Sequence, residues 1–360
     1  MNIKPLIIGN LKAKLPIIQG GMGVGVSLSS LASAVANAGG IGVISAAHAG
    51  YLEDDFQSNT LEANLRALKK HIIIAKEKAK QGLIGVNLMV AMNHYEEFVK
   101  ACIEAGADLI ISGAGLPTSL PKFTKGNSIK IAPIVSSLKA AQVILKMWDK
   151  RNNIAPDMIV VEGPQAGGHL GFKPENLDHE KENFDQTITD IIIETSIYED
   201  KYNKKIPVIV AGGVFDGKDI AKYLKLGASG VQMATRFVAT HECDAHENFK
   251  KAYVQCTAED IEIVKSPVGM PGRAMRNEFI EKIQGEKPKI TRCYNCLQPC
   301  NPKDTPYCIS EALINSVKGN LENGLIFCGD NASRITEIVS VQELMDTLEK
   351  ETLAALPNFC

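Results

Sequence analysis

Two short runs, "MIVV" at Met158–Val161 and "VIVA" at Val208–Ala211, are apolar at every position instead of every second one. A strand with one wet face alternates apolar and polar side chains. An unbroken, β-branched run therefore marks a strand covered on both faces, as in a parallel sheet wrapped by helices. Three further segments, "NAGGIGVIS", "EAGADLIIS" and "KLGASGVQMAT", share one grammar: the end of a helical pattern, a glycine, a small residue, then a strand-like run. Glycine just past a helix takes the left-handed conformation that turns the chain back onto a sheet. Its recurrence predicts βα units in series.

Strand-like runs occur at Pro16–Gln19, Ile41–Ser45, Leu83–Leu88, Asp108–Ser112, Ile129–Val135, Asp157–Glu162, Ile206–Ala211 and Ser229–Thr235. Helical patterns lie between them, among them Leu28–Ala38, Leu61–Lys80, His94–Ala105, Leu138–Arg151, Asp185–Tyr198 and Gly217–Leu226. Eight such units predict an α/β fold, a (β/α)8 TIM barrel, with an open doubly wound sheet as the alternative. After Phe237 the alternation stops. Residues 1–240 are read as the barrel, 241–324 as a smaller, mostly helical accessory lobe, and 325–360 as a return segment whose amphipathic helix, Val341–Leu356, packs on the barrel.

Charged residues are 22% of the chain and the formal net charge is −2, which argues against nucleic acid as a partner. No apolar run approaches the length of a membrane helix, and the start "MNIKPLIIGNLKAKLP" lacks a secretory pattern, so a cytoplasmic location is expected.

Barrel chemistry sits in the loops that follow the strands. Here these are "QGGMGVG", "SAAHAG", Asn87, "SGAG", "EGPQAGGH", "AGGVFDG" and "ATRF". So many glycines on one rim suggest a ligand lying close against backbone. The loops after the seventh and eighth strands occupy the usual phosphate position of such barrels, near Gly212, Gly213, Ala234 and Thr235. A sugar-phosphate-binding barrel without redox chemistry is compatible with the same pattern.

"PIIQGGM", "GVN", "EGPQAGGHLG", "VIVAGGV" and "VQMATRF" occur in the order found in the nitronate monooxygenases, once called 2-nitropropane dioxygenases, and in the related FMN-dependent enoyl-ACP reductases. The chain resembles that family from about residue 5 to 240, and again at "EALINSVKGNLENGLIFCGDNASRI". The resemblance implies non-covalent FMN, with Gly21, Met22 and Asn87 on the ring side, Gln165 and Gly168 bordering the flavin, and Gly212, Gly213, Ala234 and Thr235 at its phosphate. It implies oxidation of alkyl nitronates with O2 or, as the alternative, reduction of an activated C=C bond with NAD(P)H or a cluster as electron source. His169 matches the active-site histidine of that family; an ordinary imidazole titrates near neutrality and can manage a proton there. His48 on the rim is read as structural, Arg236 either as facing the phosphate or as a structural ion pair, and Glu162, at the end of the sixth strand, is weighed as a second rim carboxylate but not counted among the site residues. His71, His94, His179, His241 and His246 are read as surface, Trp148 as packing and Cys328 as packing or flavin neighbour.

Cys293, Cys296, Cys300 and Cys308 are spaced C-x2-C-x3-C-x7-C. Thiols at that density are expected to hold an iron–sulfur cluster or zinc, reduced free cysteines being the alternative.

Overall fold

All eight strand-like runs form strands, with bounds that shift by at most two residues. They are β1 (Ile17–Gln19), β2 (Ile41–Ser45), β3 (Leu83–Met89), β4 (Leu109–Gly113), β5 (Lys130–Val135), β6 (Ile159–Glu162), β7 (Val208–Ala211) and β8 (Gly230–Met233). They are parallel and close in the order β7-β8-β1-β2-β3-β4-β5-β6. The fold is a (β/α)8 barrel. The computed structural model describes residues 3–285 and 290–356. Residues 1–2, 286–289 and 357–360 of the three expected segments lie outside the described residues.

The seam between β1 and β2 is thin, with only Ile18 and Ile41 paired. The side chain of Gln19 completes it. Its Nε2 donates to the carbonyl of Val43 at 3.1 Å, and its Oε1 accepts the Val43 N–H at 3.0 Å. Gln19 is fully buried, so this amide stands in for a missing backbone partner at a place water cannot reach.

The two-residue period of each strand divides the apolar residues into two sets. Ile18, Ile41, Val43, Leu109, Ile111, Val160 and Ile209 fill the barrel interior. Ile44, Val86, Ile110, Val161, Val210 and Val231 face the surrounding helices. Leu6, Ile8 and Ala13 of an N-terminal hairpin join the interior set next to Leu83 and Met158, at the end opposite the loops. Helix Val341–Ala355, begun by a reciprocal Ser340–Glu343 cap, packs on helix Gly217–Leu226. Glu351 there accepts the Gly217 N–H at 2.9 Å.

The lobe contains the helices Glu247–Gln255, Glu278–Gly285 and Ile309–Val317 and also an antiparallel hairpin of β9 (Ile261–Lys265) and β10 (Pro271–Met275). The hairpin takes Gly168–His169 as a third strand, with Gly272 opposite His169 and Arg273 opposite Gly168. "PGRAM" has neither alternation nor β-branched residues, so nothing in its pattern announces a strand. Among the described residues no helix is long and apolar enough to cross a membrane.

Gly42 shows how closely the outer layer sits. A Cβ there would overlap backbone of Ala32 in the helix Ser29–Asn37, which cannot step aside. Gly42→Ala is expected to lower stability in urea unfolding by about 3 kcal/mol or more. Gly285→Ala, where nothing lies within 4 Å, is expected to stay within about 0.5 kcal/mol of wild type.

Candidate active site

Continuing the inward set by two residues along each strand gives the ring at the C-terminal mouth of the barrel. It holds Ser45, Asn87, Ile134, Glu162, Ala211 and Gln232, all lining one cavity of about 720 Å³. The ten positions singled out on the rim, Gly21, Met22, Asn87, Gln165, Gly168, His169, Gly212, Gly213, Ala234 and Thr235, line that same cavity. The structure therefore brings them together, although they come from separate loops.

Glycine is needed at two of them for stated reasons. A Cβ on Gly21 would collide with the side chain of Asn87, so the loop after β1 lies directly over the end of β3. Gly213 has φ +86°, and a Cβ on it would stand 2.9 Å from the Gln165 Oε1. Glycine at both positions lets neighbouring rim loops pack directly against one another.

His169 is held from three sides. Its Nε2 is 2.7 Å from the Ser266 hydroxyl, its ring meets the edge of Phe327 at 5.0 Å, and its backbone pairs with Gly272. The loop before it is clamped by Arg273, whose Nη1 donates to the carbonyls of Pro164 at 2.8 Å and Ala166 at 2.6 Å. Asp330 joins the clamp: it lies 3.8 Å from Arg273 Nε and accepts from Gln165 Nε2 at 2.8 Å. Burial lowers the His169 pKa to about 4, so the imidazole is neutral at pH 7 and a weaker base than the sequence reading supposed.

At the β7–β8 end, the Thr235 hydroxyl accepts the N–H of Gly329 from the return segment at 3.0 Å. Asn331 beside it has a buried Nδ2 with no hydrogen-bond partner among the described residues. An orphan donor of this kind costs about 1–3 kcal/mol until a partner arrives. Glycine backbone, a hydroxyl and a spare amide donor fit a phosphate group, and the glycine-rimmed cavity has room for a planar ring. Arg236 does not face this end: it lies on the Phe215 ring, with Arg334 on the same ring.

His48 is buried and spans three elements. Asn64 Oδ1 accepts the Gly50 N–H at 2.9 Å, which turns its Nδ2 toward His48 Nδ1 at 3.2 Å. The ring proton therefore sits on Nε2 and points at Ser310 Oγ, 2.6 Å away in the lobe. Burial lowers its pKa to about 4, so His48 is a neutral cross-brace. His71, read as surface, is half-buried and bonded to Ser29 at 3.0 Å. Trp148 is fully buried and donates to the Pro117 carbonyl at 3.1 Å, a packing residue as read.

Glu162 is the residue the sequence reading undervalued. It is the only carboxylate in the mouth ring, and no hydrogen bond or ion pair holds it among the described residues. Burial pushes its pKa up to about 7 with no charged neighbour contributing. The signal was present in the sequence: Glu162 is two residues beyond the inward-facing Val160.

The model of the family described as nitronate monooxygenase matches residues 4–351. The chain belongs to the nitronate monooxygenase family. A probable nitronate monooxygenase of Staphylococcus saprophyticus is 28% identical over 313 residues, covering 79% of this chain and 81% of that protein. The structure of FabK from Thermotoga maritima is 28% identical with a TM-score of 0.72, covering 96% of this chain and 94% of that one. A nitroalkane oxidase of Streptomyces ansochromogenes shares the fold with a TM-score of 0.70 at 18% identity, covering 95% and 97%. This family member is an oxidoreductase.

The cysteine expectation finds no support in the geometry. Among the described residues no three His, Cys, Asp or Glu side chains converge in a way that holds a metal ion. The segment 293–300 is an open strap tied by its backbone to the loop after β3: Asn93 N–H donates to the Cys296 carbonyl at 3.1 Å, and Gln298 N–H to that of Ala91 at 2.9 Å. Along the strap Cys293 is exposed, Cys296 is half-buried in the cavity wall, and Leu297 is buried. Burial raises the thiol pKa of Cys296, and the nearby Cys300 and Cys293 thiols raise it further. Cys308 opens helix Ile309–Val317, and burial raises its thiol pKa to about 11. Cys328 is buried in the cavity wall.

Glu162 gives a pH test of the site. A carboxyl with a pKa raised in the folded state adds stability that is complete below its unfolded value, about 4.3, and is lost as pH rises through about 7. Glu162→Gln, which cannot ionise, is expected to melt several degrees above wild type at pH 8.5. The gap should close by pH 5; equal melting curves at both pH values would show that Glu162 is not buried in an apolar mouth.

Proposed function

We propose that this family member is an FMN-dependent enzyme that oxidises alkyl nitronates with O2. The observation that carries this reading is the convergence of ten rim positions, resembling those of the flavin enzymes, on one cavity with a glycine-backbone phosphate end and His169 at its side. FMN, when bound, supplies the redox chemistry, and the protein supplies position and electrostatics.

The chain's own residues have distinct tasks. Gly21 and Asn87 shape the bed for the ring. The loop of Gln165 to His169, held by Arg273, sets the imidazole against it. His169 Nε2 is engaged by Ser266, so Nδ1, free of partners among the described residues, is the nitrogen that exchanges a proton with substrate. Phe327, whose ring meets that of His169, covers one side of the imidazole.

A second reading has its own support. The cavity lining includes Met89, Met92, Leu297 and Leu313, apolar side chains that suit a chain-bearing substrate. This favours reduction of an activated C=C bond with NAD(P)H.

Purified protein is expected to be yellow and to release FMN on denaturation. Anaerobic addition of an alkyl nitronate should reduce the flavin, and readmitted O2 should restore it. Bleaching by NADPH but not by nitronate would transfer the assignment to the second reading, and a colourless protein would remove both. His169→Ala is expected to keep FMN and lose roughly 100-fold in turnover. Because the His169 pKa lies near 4, its contribution should be flat from pH 6 to 8. Any inflection near pH 7 should vanish in Glu162→Gln.

A further inference from the structure

Asn331 occupies the N-cap position of the short turn Ala332–Arg334, where an asparagine normally accepts a backbone N–H, yet its side chain makes no such bond. Its Nδ2 is buried without a partner, and no hydrogen bond holds its Oδ1. The two ends of the amide therefore exchange by a half-turn at no loss of contacts. The amide stands at the β7–β8 end of the cavity, with its Oδ1 3.4 Å from where a Cβ on Gly329 would be, beside the Thr235 hydroxyl.

This end of the cavity has no basic side chain: among the described residues Arg292, on the strap, is the only Lys or Arg in the cavity lining. An anion there depends on neutral donors. The one nearby carboxylate, Asp330, is countered by Arg273 at 3.8 Å and Lys181 at 3.7 Å and bonded by Gln165.

We infer that Asn331 of the return segment donates a hydrogen bond to the phosphate of FMN, and so makes the site discriminate FMN from a flavin that lacks the phosphate. This rests on the FMN reading above. It adds a donor from outside the barrel to the backbone of Gly212, Gly213, Ala234 and Thr235. A hydrogen bond to a charged group carries roughly a tenfold effect or more on affinity.

The test compares FMN and riboflavin binding by the full-length chain stripped of flavin, followed by fluorescence quenching. Asn331→Ala is expected to weaken FMN about tenfold or more and leave riboflavin within twofold of wild type. Asn331→Asp, which sets a negative charge against the phosphate, should weaken FMN further with riboflavin again unchanged. Unaltered riboflavin binding shows that the variants are folded. Equal losses for both flavins, or no loss for either, would overturn the inference while leaving the FMN reading intact. Wild-type protein that binds neither flavin would defeat the FMN reading and this inference with it.

Discussion

Closure of the barrel depends on one side-chain amide. Between β1 and β2 the backbone ladder is almost absent, and Gln19 holds both polar groups of Val43 in a region from which water is excluded. Without that pair of bonds β1 and β2 would meet through a single residue pair, and the loops that follow β1 and β3 would be less firmly held on one rim. With it, Gly21 from the loop after β1 reaches Asn87 at the end of β3. The cavity follows from the closed ring of strand ends.

The barrel alone leaves the site unfinished. The segment from Pro164 to His169 has few bonds of its own, and the lobe supplies them: a strand partner in β10, a guanidinium on two carbonyls, a hydroxyl on the imidazole and an aromatic edge against it. His48 ties the opposite side of the rim to Ser310. The lobe is therefore structural material for the active site, in addition to a wall of the cavity.

What was legible in the sequence was what local periodicity controls. Unbroken apolar runs gave the strands, helix-end glycines gave the turns, and the order of strand ends gave the rim. Glu162 was visible by the same period-two count but carried no motif to raise it above a structural reading. The cysteines mark a limit of local pattern. Their spacing counts residues along the chain, whereas ligation depends on where side chains stand in space, and among the described residues no group of three or more His, Cys, Asp or Glu is placed to hold a metal ion. The hairpin of β9 and β10 and the placement of Asn331 arise from contacts between segments far apart in sequence, which no local pattern encodes.

The clamp on the His169 loop has a consequence for the order in which this protein becomes active. Arg273, Ser266 and Asp330 are all translated well after β8 is complete. A nascent chain ending near residue 240 would hold every barrel strand and still lack the groups that shape the Pro164–His169 turn. The emerging barrel is thus kept chemically immature during synthesis, and the site is assembled only when the last third of the chain folds back across its mouth.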